Sequence, residues 1–223
     1  MRILTDFAQW YDGIFDAEGA TFHRMAFTRG GLPKREQLAL FERLGLSTPP
    51  HGRVRELAAI EAPFGGSARW RREVSCVVYE DELAHQGQGK RLLSLAEALD
   101  SHPDAYASLY FPPRGGAGGV NLRHARVGRV GAWIRQASRD DWRSNRHDQE
   151  EVLERTVHRE PSPIPRVLWA IDFLPTPSGL LAIDLNTAPD LDSLGESGLV
   201  TADEIRIELE RASAETPTWL AQL

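Results

Sequence analysis

The stretch "LLAIDLNTAPDL", Leu180 to Leu191, decides how the chain is read. An apolar run leads into Asp184, Leu185 intervenes, Asn186 follows, and Thr187-Ala188-Pro189 turns the chain. Just before it, "VLWAIDFLPTPSG" (Val167–Gly179) puts Asp172 in the same apolar setting. The two runs flank the turn sequence "TPSG", so the simplest arrangement is an antiparallel hairpin. Side chains on a strand recur on one face at every second residue, so Asp184 and Asn186 project the same way and Asp172 can lie beside them. A carboxylate among Ile, Leu and Trp is costly unless a cation or hydrogen bonds compensate it. Three hard oxygen donors on adjacent strands suit Mg²⁺, which takes one or two carboxylates and completes its shell with phosphate oxygens and water. Plain alternation, with both aspartates on the exposed face of a half-covered sheet, explains the same letters, and these residues alone leave both explanations open.

Upstream, "RDDWRSNRH" places Arg143 and Asn145 on one side of a short extended segment, and "NLRHARV" adds Arg123 on a strand. The planar fork of an arginine matches phosphate and carboxylate groups. Asp172, Asp184 and Asn186 for Mg²⁺, with two arginines and an Asn, are what a nucleoside triphosphate needs around its terminal phosphates. In "AHQGQGKRLLS", Gly87 and Gly89 permit a tight loop whose backbone N–H groups can cover phosphates, and Lys90 follows directly. The pattern matches neither Walker A nor the dinucleotide fingerprint, and as an isolated motif it equally describes a hairpin loop.

Along the rest of the chain, "DFAQWYDGIFD" has helical spacing of Phe7, Trp10, Tyr11 and Ile14. In "RGGLPKREQLALFERLGLSTPPHG", Pro33 suits a first turn, Leu38, Phe41 and Leu44 form a stripe, and Gly45 caps. "RVRELAAI" is a short helix or turn. "EVSCVVYE" and "AYASLYFPP" are strands, and "SLAEALDSHP" is a helix with Ser94 as N-cap and Glu97 three residues on. "VNLRHARV" and "VGAWIRQA" are strands joined by a tight turn at Gly128-Arg129. The charged "DQEEVLERTV" is predicted to be helical. "TADEIRIELERASA" is a closing helix with a capping box from Thr201 to Glu204. Adjacent antiparallel pairs with intervening helices predict α+β with open mixed sheets, not a doubly wound parallel sheet.

The chain has 223 residues, enough for a sizeable core as one domain or two joined lobes. Its net charge of -6 argues against a general nucleic-acid binder, while local arginine clusters fit an anionic small molecule or decorate solvated faces. No apolar run approaches the roughly 20 residues that span a bilayer, and "MRILTDFAQWYDG" lacks an apolar signal core, so a cytoplasmic protein is expected. The single cysteine, Cys76 in "VSCVVY", excludes an internal disulfide and reads as a buried thiol.

In their order, these segments resemble the ATP-grasp superfamily, as a short, divergent member, over roughly residues 36 to 195. "LFERLGLSTPPHG" is similar to the turn that leads into the nucleotide region. "CVVYEDELAHQGQGKRLLSLAEAL" resembles the small lobe: strand, glycine loop, strand, helix. "YASLYFPP", with Tyr110, resembles the linking strand whose backbone receives adenine. "VNLRHARVGRVGAWIRQASRDDWRSN" is similar to the large lobe, and "AIDF…AIDLNTAP" resembles the paired metal strands, whose second is usually E-x-N. The resemblance implies two small α+β lobes with mostly antiparallel sheets holding a nucleotide between them. The implied division is a reduced N-terminal helical region (1–62), a small nucleotide-covering lobe (63–112) and a large lobe with the metal hairpin (113–223). It implies ATP and Mg²⁺ as cofactors and a ligase joining a carboxylate to an amine or thiol through an acyl phosphate. Arg123 and Arg143 would act on the transferring phosphoryl group. Gly87, Gly89, Lys90, Tyr110, Arg143 and Asn145 would hold the nucleotide, and Asp172, Asp184 and Asn186 the metal. Three departures stand out: Tyr79 where the small lobe usually presents a lysine, Asp184 where Glu is usual, and a shortened N-terminal region. In that region "FHRMAFTRGG" offers His23, Arg24 and Arg29 either to an acidic substrate or as an exposed turn.

Two other functions fit the same residues. One is a degenerate grasp module that binds a nucleotide or a partner protein without chemistry. The other is a nucleic-acid-directed protein, which the net acidity and the lack of a stacked aromatic pattern disfavour. The expected partners are small-molecule carboxylate and amine substrates, with a homo-oligomer or a partner protein supplying a missing lobe left open, and no membrane.

Overall fold

The computed structural model describes residues 32–60, 71–83, 88–112, 118–143, 149–159, 162, 164, 168–186, 200–201 and 203–211. The helix expected over "DFAQWYDGIFD", the N-terminal His23, Arg24 and Arg29, and the site candidates Gly87 and Asn145 lie outside these residues. The described elements are α1 (Lys34–Arg43), β1 (His51–Arg53), α2 (Val54–Ala59), β2 (Ser75–Tyr79), β3 (Lys90–Ser94), α3 (Leu95–Ser101), β4 (Tyr106–Leu109), β5 (Val120–Val127), β6 (Val130–Ala137), β7 (Gln149–Val157), β8 (Leu168–Thr176) and β9 (Gly179–Asn186). A last helix, α4, covers 203–211. The strands form a four-stranded sheet in the order β1-β4-β2-β3 and a five-stranded sheet in the order β7-β6-β5-β8-β9. Every pairing among the described strands is antiparallel, so the fold is α+β with antiparallel sheets, as the resemblance implied.

Local chemistry sets the element ends. Pro33 precedes α1, where its missing N–H costs nothing. The helix closes with Gly45 in the left-handed region at φ 74, its N–H bonded to the Glu42 carbonyl (2.9 Å) and that of Leu46 to Phe41 (2.9 Å). This is the paired 6→1 and 5→2 arrangement that satisfies the last carbonyls of a helix. Ser94 caps α3 by accepting from the Glu97 N–H while Glu97 returns a bond to the Ser94 backbone. Thr201 and Glu204 repeat this reciprocal box at α4. The β5–β6 turn falls at Gly128-Arg129, where α4 also reaches it: Glu208 accepts from the Arg129 N–H at 2.8 Å.

The segment "DQEEVLERTV" is a strand, β7, not the helix its composition suggested. Glu, Leu and Arg favour helices, but propensity is a weak prior that tertiary pairing overrides. β7 pairs with β6 along its whole length, from Val130↔Val157 to Ala137↔Gln149. As the end strand in that sheet order it tolerates charge on both faces, which blunts aggregation. Charged contacts fix it: Gln136 donates to Glu150 (2.7 Å) and Arg155 to Glu204 on α4 (2.6 Å). A second addition is β1, a three-residue strand that follows Pro49-Pro50 and pairs with β4.

Three apolar clusters organise the layers. Val54, Leu57, Leu95 and Ala98 of α2 and α3 pack on Cys76, Val78 and Ala107 of the first sheet. Burial raises the Cys76 thiol to about 11, so it is an inert core residue. α4 covers one face of the second sheet through Ile205 and Leu209 on Ala125, Val127, Ala132 and Ala170. α1 covers the other through Leu38 and Phe41 beside Trp169, Ile171 and Phe173. By alternation, Val77 and Tyr79 of β2 face away from the first cluster, toward the second sheet.

On the α1 side of the second sheet, His124 stacks on Trp133 (centroids 4.7 Å apart) and meets Trp169 edge-on and His158 at 5.2 Å. Burial, then the charges of His158 and Arg126, push its imidazole down from 6.5 to about 4. The folded His124 is therefore neutral where the unfolded one takes a proton. Stability is complete above pH 6.5 and falls as pH drops from there toward about 4, by on the order of 3 kcal/mol. Thermal unfolding across this window checks it. His124→Phe should flatten the slope, and an unchanged slope would show that His124 does not cause it.

Candidate functional site

The two sheets meet across a solvent-open cleft lined from both sides. The first sheet contributes Val77, Tyr79, Lys90 and Ser108, and the second contributes Asp172 and Asp184. Asp172 on β8 and Asp184 on β9 are direct register partners, so both carboxylates stand on one face. A register shift between Asp172 and Phe173 sets this pairing, because beyond it Phe173 faces Ala182. Asn186 sits two residues past Asp184, opposite Ala170.

Each carboxylate is held by cations. Arg123 grips Asp172 with a planar fork, Nε to Oδ1 at 2.7 Å and an Nη to Oδ2 at 3.0 Å. The two residues are cross-strand partners, and Asp172 is buried. Asp184 receives the Lys34 ammonium on one oxygen and has Lys90 at 3.7 Å from the other. Its side chain keeps 31% of its surface open, toward the cleft. Burial pushes the Asp184 carboxyl up, but the charges of Lys34 and Lys90 overcome this and hold it well below the usual carboxylate range.

Lys90 lies directly across from Tyr79 in the β2–β3 pair, and its ammonium is 6.0 Å from the Tyr79 ring centroid. Thus β3 delivers an amine beside Tyr79, and both line the cleft. Burial lowers the Lys90 ammonium, and Asp184, Tyr79 and Asp172 together more than restore it, for a net rise. Tyr79 donates to or accepts from Ser108 at 3.0 Å, and burial raises its phenol. Gly89, at φ 61, closes the β2–β3 connection, its carbonyl accepting from the Glu80 N–H at 2.8 Å.

At the other end of the cleft, Tyr110 meets Trp142 edge-on at 5.9 Å, and both line the opening. The Tyr110 N–H is bonded to the Ser75 carbonyl at 2.9 Å, which ties the segment after β4 to β2. Arg143 also lines the cleft, paired with Asp141 (Nε–Oδ1 2.9 Å) and lying 5.5 Å over the Trp142 ring. The structure thus brings Lys90, Tyr110, Arg143, Asp172 and Asp184 around one opening, with Arg123 on Asp172 and Asn186 on the same strand as Asp184. The sequence reading missed Lys34, Gln37, Ser108 and Trp142. Lys34 and Gln37 sit 150 and 148 residues from their partners Asp184 and Leu185, and no local pattern signals such contacts.

No protein-family model matches the sequence, and no curated protein matches it. Solved structures do. A D-alanine–D-alanine ligase from Bacillus anthracis superposes with a TM-score of 0.51 at 9% identity, over 82% of this chain and 67% of that one. An ATP-grasp ligase associated with ribosomally made, modified peptides (RiPPs) from Chryseobacterium gregarium, solved with ADP and a leader and core peptide, superposes at 0.50 and 16% identity. That match spans 93% of this chain and 69% of that one. At such identities the likeness concerns the fold. Two antiparallel sheets facing across a cleft, with β8 and β9 on one wall and β2 and β3 on the other, give this chain an ATP-grasp-like fold.

Proposed function

We propose that the chain is an ATP-dependent ligase of the carboxylate–amine kind, working through an acyl phosphate. One observation carries this: a directly opposed Asp172–Asp184 pair ringed by Lys34, Lys90 and Arg123 on the wall of a cleft between two lobes. Likeness to ligases, one of them solved with ADP, supports it. The lobe over 63–112 would cover the nucleotide, and the lobe over 113–223 would supply the acidic hairpin.

The donor set fits Mg²⁺. Asp172, Asp184 and Asn186 are hard oxygen donors grouped on two paired strands, and phosphate oxygens would complete the shell. When bound, the metal would neutralise charge on the phosphates. The protein's own part is positioning and electrostatics. Tyr110 and Trp142 offer aromatic surface to the base. Lys90 and Arg143, which line the cleft from the two sheets, would meet the phosphates; Gly87, Gly89 and Asn145 are proposed as further nucleotide contacts. A substrate carboxylate oxygen would attack the γ-phosphorus and release ADP. The amine would then attack the acyl carbon, phosphate would leave, and the amine would lose a proton. Arg123 orients Asp172 and lends positive charge to the transferring group.

A catalytically silent module that binds a nucleotide or a protein is the second reading. Its support is that Arg123 commits two donors to Asp172 and that Tyr79 stands where a lysine is usual. An ADP-release assay separates the two. Acids and amines would be supplied in pairs, including peptides bearing Asp or Glu, since one similar ligase was solved with a peptide. The ligase reading expects ADP and phosphate only when acid and acceptor are both present. Tight ATP binding with no release for any pair would favour the silent module.

A further inference from the structure

Lys34 is the member of the site that no motif announces. It opens α1, yet its side chain is almost wholly buried, with 3% exposure. An ammonium has three N–H donors. Here all three have acceptors: Gln37 Oε1 at 3.0 Å, the Ile183 carbonyl at 3.1 Å, and Asp184 Oδ1. Gln37 is fixed in turn. Its Oε1 also accepts from the Leu185 N–H (3.0 Å), and its Nε2 donates to the Leu32 carbonyl (2.7 Å). The first turn of α1 therefore closes against β9 at Ile183 and Leu185, and the ammonium is delivered to Asp184 by a rigid frame.

Burying a lysine this completely is unfavourable unless its partner needs the charge. The partner does. Two carboxylates facing each other across a strand pair repel, and each wants a cation. Arg123 serves Asp172. Lys34 serves Asp184 at Oδ1, with Lys90 beside Oδ2. Counting the ring, three cations (Lys34, Lys90, Arg123) against two carboxylates (Asp172, Asp184) leave one positive charge. A free divalent cation meets that surplus and finds Asp184 engaged. A nucleoside triphosphate, with several negative charges, reverses the surplus.

Resting on the ligase reading above, we propose that Lys34 is a tethered cation that competes with divalent metal for Asp184, so that metal enters this site with the nucleotide and not ahead of it. Lys34 is a positioning residue for the carboxylate, and its effect is read in metal binding, not in turnover.

The test is Mn²⁺ binding followed by electron paramagnetic resonance on the full chain, with and without a non-hydrolysable ATP analogue. The wild type should take up Mn²⁺ with the analogue and at least about fivefold more weakly without it, the low end of ordinary coupling between ligands. Lys34→Gln, which keeps a hydrogen-bond donor for Ile183, and Lys34→Met should bind Mn²⁺ alone at least about fivefold more tightly than the wild type. Lys34→Arg should behave as the wild type. The proposal is overturned if wild type and folded Lys34→Gln bind Mn²⁺ alone equally well while both still bind the analogue. It is overturned without any variant if the wild type binds Mn²⁺ as tightly without the analogue as with it. If the wild type binds neither the analogue nor Mn²⁺ in any combination, the nucleotide reading itself fails and takes this proposal with it.

Discussion

Asp184→Ala should abolish metal-dependent ATP binding and destabilise the fold at the same time. The carboxylate is the common partner of two ammonium groups, Lys34 and Lys90, one on each oxygen. Deleting one partner of a buried pair typically costs about 3–5 kcal/mol, because a charge is left without compensation. The low end is expected here, since Asp184 opens partly to the cleft. About 3 kcal/mol corresponds to a fall in Tm of roughly 6–12 °C for a chain of this size. Burial already lowers the Lys34 ammonium, with Asp184 opposing. Without Asp184 it falls further below its unfolded value. The unfolded chain then binds a proton that the folded one gives up more readily, so the variant should regain stability as pH rises above neutrality. Thermal unfolding of both proteins over neutral to alkaline pH measures this. A variant with wild-type Tm and intact Mg²⁺·ATP binding would remove Asp184 from the site.

Arg123→Leu should be the most destabilising single change in the cleft, by about 3–5 kcal/mol. It leaves Asp172 buried on β8 with both oxygens stripped of the guanidinium fork. Structural and functional roles separate in a double-mutant cycle. Buried ion pairs replaced by apolar side chains are often neutral or stabilising, so Arg123→Leu with Asp172→Leu should recover most of the lost stability. ATP-dependent activity should stay lost in both. Chemical denaturation reports the first outcome and ADP release the second. Recovery of activity with stability would mean that the pair only holds β5 to β8.

The sequence was most legible where one local rule governed. β5 and β6 run from Val120 to Val127 and from Val130 to Ala137, as alternation and Gly128 require. The capping boxes at Ser94 and Thr201 follow from side chains three residues apart. The β8–β9 hairpin followed from two apolar runs around "TPSG", and period two placed Asp172 and Asp184 together. β7 was misread because Glu150, Glu151 and Glu154 favour a helix locally, while the unpaired side of β6 decided the outcome non-locally. The electrostatics of the site were the least legible part. Spacing shows that two carboxylates share a face, but not which cations come to them. Arg123 arrives from a neighbouring strand and Lys34 from a helix 150 residues away. A lysine opening an amphipathic helix reads as a solvated residue until the tertiary structure seats it.

The most direct measurement is a crystal structure of the chain with a non-hydrolysable ATP analogue and Mg²⁺. The expected result has the base at Tyr110 and Trp142, the phosphates within hydrogen-bond reach of Lys90, and the metal on the Asp172–Asp184 face. An analogue bound elsewhere, or a cleft that stays closed to it at saturating concentration, would contradict the nucleotide site.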